Sequence, residues 1–507
     1  MAVERGRARV AGLLAAAFAL AVAELLGGLI GSAPSLVQAV GDAVVDAAPP
    51  AAKDFAVAAF GTADKPVLLT GIAVVALLAG AGVGLLARRR PLLGAAGIAA
   101  FGVLGGIAGA ADPLASPLWA WLTALLGAAA GIAVLRLLLA RAERASRPGG
   151  AQSDRRDFLR AAGATGVLTL VGGGVGRMLS SGAAAVETDR AAVRLAAPAS
   201  PLASPPAGLR VPGLTPLFVP NSRFYRIDTA LSVPRVDVGN WRLEIGGPLA
   251  ARTRTLGYDE LVRMATDQQD VTIACVSNEV GGDLVGNARW LGTPLRPLLD
   301  QALGGRPAPP GTQVVGRSVD GFTAAFPYEA LDDRVALIAV GMNGEPLPVG
   351  HGFPARLIVA GLYGYVSATK WLSSIELHGP EFEGYWIPRG WAKEAPVKTA
   401  SRIDVPKHSA RVAAGRVAVA GVAWAPDRGV DVVEVRADDD PWLPARLSEP
   451  LGANAWRQWL VEWDATPGRH RLQVRATDGD GRVQTERRVS PRPDGATGWH
   501  TIQVRVD

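Results

Sequence analysis

Residues 275–290 read Cys-Val-Ser-Asn-Glu-Val-Gly-Gly-Asp-Leu-Val-Gly-Asn-Ala-Arg-Trp, and the run Val-Thr-Ile-Ala at 271–274 precedes them. This pattern predicts a strand that ends at Cys275 and opens into a glycine-rich polar loop, where a rigid scaffold presents reactive groups. Cys275 is the one cysteine of the chain, which excludes an intramolecular disulfide, an all-cysteine zinc site and an iron–sulfur cluster with cysteine ligands from this chain alone. A lone cysteine is more often an inert buried residue than a ligand, and that alternative stays open.

A second unusual stretch, residues 351–372, reads HGFPARLIVAGLYGYVSATKWL. It places His351, Arg356 and Lys370 around a glycine-studded turn between two predicted strands. These side chains are the donors that a phosphate-bearing, highly polar cofactor needs. The surrounding sequence has no regular alternation of strands and helices and no glycine-rich phosphate loop of standard spacing, so nucleotide binding has no support.

The chain around these two stretches consists of short β-like runs. From about residue 216 they alternate with Gly, Pro and polar turns and a few helix-like pieces, which predicts an α+β domain over residues 215–403. Residues 404–507 contain strands at short, regular intervals with Asp-Gly turns, a pattern typical of an all-β antiparallel sandwich. This second unit has no cluster of candidate ligands, so we assign it no catalysis.

The first third of the chain is strongly apolar and raises the mean hydropathy to +0.21. Four runs, at about 10–30, 67–86, 92–110 and 118–140, each approach the roughly 20 residues that a helix needs to cross a membrane. They predict a four-helix transmembrane anchor over residues 1–150. Residues 151–183 add a shorter, glycine-rich fifth apolar helix, and residues 184–214 are rich in Ala, Pro and Ser and predict a linker. Buried helices of a soluble α-protein are the alternative.

The positive charge lies in this apolar part and is unevenly divided between its loops. Residues 1–160 hold 15 Lys+Arg and 10 Asp+Glu, so most of the net charge of +6 of the whole chain lies in this apolar part. We therefore expect these basic residues to face a lipid surface and not a nucleic acid. The positive-inside rule places the N-terminus in the cytoplasm and, after five crossings, the soluble half outside, so we expect a multi-pass protein of the cell membrane. The arginines of the cytoplasmic side are Arg5, Arg7, Arg9, Arg88, Arg89, Arg90, Arg141, Arg144, Arg147, Arg155, Arg156 and Arg160, against Lys53 and Lys65 on the other side.

The segment Ser153–Arg160 precedes the fifth apolar run and resembles a twin-arginine translocation signal. That route exports folded proteins, as a cofactor inserted in the cytoplasm would require. A stop-transfer cluster in front of a membrane helix is the alternative. All five histidines of the chain lie outside the apolar runs, which excludes a transmembrane haem with histidine ligands.

Four ordered matches over about residues 215–507 resemble the sulfite-oxidase family of molybdenum enzymes. They are the entry segment Phe224-Tyr225-Arg226, the Cys275 loop, the run from Met342 to Arg356, and Lys370-Trp371-Leu372. The resemblance implies a molybdopterin (Mo) cofactor, with a soft cysteine thiolate as the protein ligand to the metal. It also implies that residues 404–507 form an immunoglobulin-like dimerisation domain, and hence a homodimer.

The resemblance assigns roles residue by residue. Cys275 is the metal ligand, Arg226 lines the substrate pocket, and Tyr385 matches the active-site tyrosine of the family; these three form the predicted catalytic set. The predicted cofactor-binding set comprises Tyr225, Arg226, Asp228, Cys275, Asn278, Arg289, Asp320, His351, Arg356, Ser367, Thr369 and Lys370, with Ser367 and Thr369 acting through main-chain amides.

Two departures from the family pattern bear on the substrate. Asp228 stands where these enzymes carry a histidine, and Glu279-Val280-Gly281 stands where they have an arginine-rich turn. Both changes remove positive charge near the metal and reduce the gain for a doubly charged anion. The predicted function is oxygen-atom transfer at an extracytoplasmic site, on sulfite or a related small oxyanion. A sulfoxide reductase and a non-enzymatic, membrane-tethered scaffold are the alternatives. Because the chain lacks haem and iron–sulfur ligands, the enzyme needs an external electron carrier such as a cytochrome.

Overall fold

The computed structural model describes residues 4–30, 35–49, 63–146, 152–179 and 183–507, together with residues 52, 55, 59 and 60. Lys53 and Arg147 of the predicted charge partition lie outside the described residues. The chain forms two compact units, one of residues 1–185 with 230–233 and the other of residues 186–229 with 234–507.

The first unit is helical, and its long helices coincide with the predicted apolar runs. Five of its described helices are long and apolar enough to cross a membrane. The short helix α2 has no counterpart in the prediction because its 12 residues are too few to span a bilayer. The helices are α1 Arg5–Ile30, α2 Leu36–Ala47, α3 Asp64–Ala87, α4 Pro91–Ala111, α5 Pro117–Ala145 and α6 Gln152–Leu179.

Small residues line the contacts between these helices, and large apolar residues point outward. Ala8, Ala11 and Ala15 of α1 are fully buried. The backbones of α1 and α3 approach so closely that a Cβ on Gly12 would overlap Gly84. By contrast, Leu170 of α6 is 78% exposed. The arginine pair at 155–156 lies in the first turns of α6, continuous with the fifth apolar run.

The second unit begins with one mixed and one antiparallel β-sheet and short helices, as expected for an α+β domain. One sheet has the strand order β2-β1-β10-β5-β6, in which β1 and β10 are parallel, and the other has the order β3-β4-β7-β8 with β9 also paired to β7. The strands are β1 Arg242–Gly246, β2 Arg254–Gly257, β3 Asp267–Ala274, β4 Val285–Pro294, β5 Gln313–Ser318, β6 Thr323–Pro327, β7 Ala336–Met342, β8 Glu345–Pro346, β9 Arg356–Val359 and β10 Leu372–His378. The α-helices are α7 Ala183–Ala192, α8 Tyr258–Met264, α9 Leu295–Ala302 and α10 Gly364–Ser367, and 3-10 turns span Asn221–Arg223, Tyr328–Leu331 and Val349–His351.

The second sheet lies in the interior of this domain. Every residue of β7 is buried, and so is every residue of β9; β7 reads as a continuous apolar run, whereas β9 begins with Arg356. Trp290 of β4 is fully buried, and its indole nitrogen donates to the carbonyl of Val271 on β3 at 3.1 Å. The neighbouring strand ends that carry the predicted site are therefore held by a rigid centre.

Two further sheets complete the second unit. Their strand orders are β11-β13-β17-β16 and β12-β19-β18-β14-β15, and their apolar faces share one core that includes Val419, Trp459 and Val474. The predicted boundary at 403/404 falls inside β11, which pairs with β13, so the β-rich part begins at about residue 400. The strands are β11 Ala400–Val405, β12 Arg411–Val412, β13 Gly415–Trp424, β14 Val430–Ala437, β15 Leu443–Pro444, β16 Arg446–Leu447, β17 Arg457–Ala465, β18 Gly468–Asp478 and β19 His500–Val506.

The segment predicted as a linker, residues 184–214, differs from that expectation. Its start lies in α7, where Val186 is buried in the core of the second unit. Residues 193–220, here called the strap, lie outside helices and strands and are hydrogen-bonded to both halves of that unit. The amide of Ala199 donates to the carbonyl of Thr266 at 2.9 Å, and the amide of Leu209 donates to Gln458 at 2.8 Å. An Ala- and Pro-rich segment builds no core of its own, but its backbone can still be held by neighbouring acceptors.

Candidate active site

Cys275 follows β3 directly and opens a closed loop, residues 275–284, here called the cysteine loop. Its amide donates to the carbonyl of Leu284 at 2.9 Å, and its carbonyl accepts from the amide of Asn278 at 3.1 Å. The Asn278 side chain accepts from the Leu284 amide at 2.9 Å. Antiparallel pairing of β3 with β4 continues to the last residue before the loop, so the thiol stands on a fixed base.

As a residue, Cys275 is half-buried in this loop. Its sulfur lies 2.9 Å from the hydroxyl oxygen of Ser277. Burial raises the pKa of the Cys275 thiol, whereas the hydrogen bond from Ser277 and the charge of Lys370 act in the opposite direction. Ser277 carries no motif signal in the sequence, and its role emerges only from the loop geometry.

Arg356, on β9, is a buried cation without a carboxylate. It is 4% exposed, and none of the ion pairs described for the chain includes it. Nη1 donates to the carbonyl of His351 at 3.0 Å, the guanidinium lies 5.1 Å from the ring centre of Trp290, and Nε has no partner among the described residues. Burial lowers the pKa of Arg356 to about 10, and Tyr225 opposes that shift. A desolvated cation with an unused donor fits an anionic ligand.

One carboxylate serves two further cations. Oδ2 of Asp228 lies 3.0 Å from Nζ of Lys370 and 3.4 Å from Nε of Arg226. The Asp228 side chain is 6% exposed, whereas that of Arg226 is 48% exposed and reaches solvent. Burial lowers the pKa of Lys370 to about 8, the charges of Arg356 and Arg226 act in the same direction, and Asp228 opposes them. With Arg356 the cluster holds three cations and one anion.

His351 and Tyr225 complete this cluster. Nε2 of His351 lies 2.9 Å from the carbonyl oxygen of Asn221, so that nitrogen carries the proton. Burial and the nearby cations together lower the pKa of His351 to about 4, against the opposing hydrogen bond to Asn221, which keeps the ring neutral near pH 7. Burial and the neighbouring Cys275 thiol raise the pKa of Tyr225, whereas Arg356 lowers it. Tyr225 therefore lies close to both groups.

Two glycines allow these elements to meet. Gly352 has φ +114°, and a Cβ there would lie 3.1 Å from the Cβ atoms of both Arg356 and Lys370. A Cβ on Gly286 would lie 2.7 Å from the ring of Phe224, which packs over β4 and leads into Tyr225. A side chain at either position would push the basic residues or the entry segment away from the cysteine loop.

Ser367 and Thr369 are buried beside the cluster with their hydroxyl groups already used. The hydroxyl of Ser367 donates to the carbonyl of Tyr363 at 3.0 Å, and that of Thr369 donates to the carbonyl of Gly316 at 3.3 Å. Both hydroxyl groups thus have partners within the protein, and the role of the two main-chain amides stays a prediction.

The remaining predicted residues lie in other local settings. Asn278 closes the cysteine loop, as described above. Arg289 makes two 2.7 Å hydrogen bonds to Asp270 across β3 and β4. Asp320 accepts from the amide of Phe322 at 3.2 Å in the β5–β6 turn, and the ring of Tyr385 lies 5.8 Å from that of Phe322. The structure thus gives Arg289 a carboxylate partner and places Asp320 and Tyr385 together at one end of the β5–β6 hairpin.

The site offers very few metal ligands. Within the described part of the chain, no group of three or more His, Cys, Asp or Glu side chains could hold a metal ion. A metal at Cys275 therefore has to arrive with most of its ligands, as it does in an organic cofactor whose sulfur atoms bind the metal. The uncompensated Arg356 and the neighbouring Lys370 fit the phosphate of such a cofactor.

Comparison with known proteins agrees with this chemistry. Residues 230–386 match the oxidoreductase molybdopterin binding domain. Mitochondrial sulfite oxidase of Mus musculus is 28% identical over 357 residues, which cover 60% of this chain and 64% of that protein. Sulfite oxidase of Arabidopsis thaliana is 26% identical over 276 residues, which cover 45% of this chain and 70% of that protein. The chain thus spans slightly less than two thirds of the mouse enzyme.

A solved structure shares the fold. The sulfane dehydrogenase SoxCD of Paracoccus pantotrophus superposes with a TM-score of 0.50 at 21% identity, covering 57% of this chain and 81% of that chain. This similarity concerns the fold alone. The matched molybdopterin binding domain and the sulfite oxidase relatives make this chain similar to the sulfite-oxidase family of molybdopterin-dependent oxidoreductases.

Proposed function

We propose that this protein is a membrane-anchored molybdenum enzyme that transfers an oxygen atom to sulfite or a related small oxyanion outside the cytoplasm. The observation that carries the proposal is Arg356, a buried cation with no carboxylate partner among the described residues, in the same cluster as the one thiol of the chain. A structural arginine would be expected to have a carboxylate partner, as Arg289 has in Asp270. The cluster therefore suits an anionic cofactor attached through sulfur.

The residues divide this work by their charge and exposure. Cys275 supplies the thiolate to the metal, and Arg356, Lys370 and neutral His351 hold the pterin and its phosphate. Molybdenum, when bound, supplies two-electron redox chemistry and the transfer of oxygen. Tyr225 keeps its proton because its pKa is raised, so its hydroxyl donates hydrogen bonds to an anion.

The substrate side is assigned to Arg226. Its guanidinium is half exposed and can form two hydrogen bonds to an oxyanion, while Asp228 holds it in place. We place Tyr385 and Asp320, at the end of the β5–β6 hairpin, in a second wall of the site. Asn278 and Arg289 act by supporting the cysteine loop and the strands beneath it.

Reduction of a sulfoxide is the second candidate. Asp228 is nearly buried and neutralises Arg226 and Lys370 with one oxygen atom, which weakens the field available to a doubly charged substrate. The binding of a neutral sulfoxide would not be weakened by this smaller positive field, because such a substrate has no net charge. Oxyanion chemistry remains the first choice because the Arg226 guanidinium is half exposed and can bind an anion.

The setting of the enzyme is part of the proposal. Five apolar helices with outward-facing large side chains support a membrane anchor, and the arginine partition supports a cytoplasmic N-terminus. We propose that the catalytic half lies outside, that the arginine pair Arg155-Arg156 directs its export in folded form, and that an external cytochrome accepts the electrons. The two C-terminal sheets, read as an immunoglobulin-like sandwich, would join two copies.

Metal analysis combined with turnover tests this function. The purified full-length chain is expected to contain about one molybdenum per chain and to reduce an artificial electron acceptor when sulfite is added. Production in cells unable to make the cofactor supplies the control. A folded wild-type chain without molybdenum would contradict the enzyme assignment, and molybdenum with activity on a sulfoxide but not on sulfite would favour the second candidate.

A further inference from the structure

The cysteine loop is held at its tip by the C-terminal sheets. Nη1 of Arg402, on β11, donates to the carbonyl of Gly282 at 2.7 Å, and Arg402 is only 8% exposed. The imidazole of His500, at the start of β19, packs against Gly281, where φ is +82° and a Cβ would overlap the ring. The two C-terminal sheets thus contact the loop that carries the thiol.

Arg402 is itself fixed by two other acceptors. Its Nε donates to Asp404 at 2.7 Å, and its Nη2 donates to the hydroxyl of Thr215 on the strap at 2.9 Å. The other oxygen of Asp404 accepts from the Thr215 amide at 3.1 Å. One planar guanidinium thus bridges a buried carboxylate, the strap and the cysteine loop, and such a fork is far stiffer than a lone ammonium.

The loop has a firm base and a tip that depends on this contact. At the base, the amide of Cys275 and the side chain of Asn278 both bond to Leu284. At the tip, one hydrogen bond within the loop is found among the described residues: the Gly282 amide donates to the Glu279 carbonyl at 2.9 Å. His500 accepts the amide of Ile403 through Nδ1 at 2.9 Å, so its ring is also anchored to β11.

We propose that Arg402 is a positioning residue for Cys275: by fixing the tip of the cysteine loop from the C-terminal sheets, it keeps the loop closed around the thiol. That the thiol binds a metal rests on the proposed function. The loop contact itself does not.

The thiol reports on this contact directly, because Cys275 is the one cysteine in the chain. The probe is a maleimide, applied to the full-length, cofactor-free protein in detergent. Arg402→Lys keeps a positive charge beside Asp404, but a single ammonium cannot reach Asp404, Thr215 and Gly282 together. Loss of this charge-assisted bond is expected to open the loop more often and speed labelling by about tenfold.

Two controls separate loop opening from a general loss of packing. Thr215→Val removes the bond from Arg402 to the strap and leaves the bond to Gly282, so labelling is expected at the wild-type rate. Arg416→Lys changes an arginine that is 74% exposed on the same sheet and is expected to have no effect. Arg402→Met is a second test variant that removes the donor entirely and should label at least as fast as Arg402→Lys.

The metal-loaded protein supplies an independent readout. In Arg402→Lys the electron paramagnetic resonance signal of Mo(V) is expected to shift, with a fall in kcat and an unchanged KM. A wild-type labelling rate in whichever of Arg402→Lys and Arg402→Met keeps the wild-type melting temperature would overturn the proposal. Faster labelling in a chain whose wild type never binds molybdenum would support the loop contact and refute the proposed function alone.

Discussion

Replacing Arg356 with methionine should stabilise the cofactor-free protein and weaken its binding of molybdenum. The fall in the pKa of Arg356 from 12.5 to about 10 corresponds to about 3 kcal/mol against the charged side chain in the folded protein. Methionine is shorter than arginine, but it replaces the aliphatic part of the Arg356 side chain without that cost. Loss of the hydrogen bonds to the carbonyls of His351 and Ala368 destabilises the variant by about 1–2 kcal/mol and offsets part of this gain. The net gain is about 1–2 kcal/mol, or a rise in Tm of about 3 °C.

The loaded protein should respond in the opposite direction. If Arg356 binds the phosphate of the cofactor, its loss costs about 2–5 kcal/mol of binding, and the molybdenum content should fall at least about tenfold. Thermal melting of the cofactor-free, full-length chain and metal analysis of the loaded chain measure the two effects separately.

Arg289→Met is the matched control, because it also removes an arginine from the predicted cofactor-binding set. Arg289 is paired with Asp270, whose side chain is 3% exposed, so its removal leaves a buried carboxylate and costs about 3 kcal/mol. This variant should melt lower than the wild type. If Arg356→Met also melts lower and keeps its full molybdenum content, the interpretation of Arg356 as an anion-binding residue is refuted.

Four further outcomes are expected. Arg226→Gln should raise the KM for sulfite about tenfold, by loss of about 1.4 kcal/mol, and steady-state kinetics that show no change would remove Arg226 from the pocket. Asp228→His should lower the same KM about tenfold and leave the KM for a neutral sulfoxide unchanged, since only an anion gains from the added positive field. Because burial lowers the pKa of Lys370 to about 8, its charge is lost as the pH rises through that value; binding of the cofactor by the cofactor-free protein should therefore weaken above about pH 8, and Lys370→Arg should abolish this step in a pH profile of molybdenum uptake. Arg155→Lys combined with Arg156→Lys keeps both charges, so the first four helices should still insert while the soluble half stays inside; its digestion by protease added to intact cells would show that the pair is only a stop-transfer cluster.

The long helices and many strands could be predicted because their signal is local. Each apolar run is close to the thickness of a bilayer, and β13, β14, β17, β18 and β19 alternate or run apolar in ways visible within a few residues. The strap could not be predicted from composition. Its Ala and Pro content shows that it lacks a core of its own, whereas its fixation depends on distant acceptors such as Gln458.

The same distinction applies to the site. Cys275, His351, Arg356 and Lys370 stand in two recognisable stretches, and the structure brings both stretches to one place. The pairing of Arg289 with Asp270 depends on the register of β3 and β4, which no local pattern specifies. The contact between Arg402 and Gly282 joins residues more than a hundred positions apart and depends on how the C-terminal sheets pack against the cysteine loop.

X-ray absorption at the molybdenum edge, on the wild type and on Cys275→Ser, tests the central claim most directly. If Cys275 is the protein ligand, the fitted shell of the variant should contain one sulfur fewer than that of the wild type and an added light ligand or a vacancy in its place. Turnover should be lost while the circular dichroism spectrum stays that of the wild type. An unchanged sulfur shell in a Cys275→Ser protein that keeps its molybdenum would contradict the account.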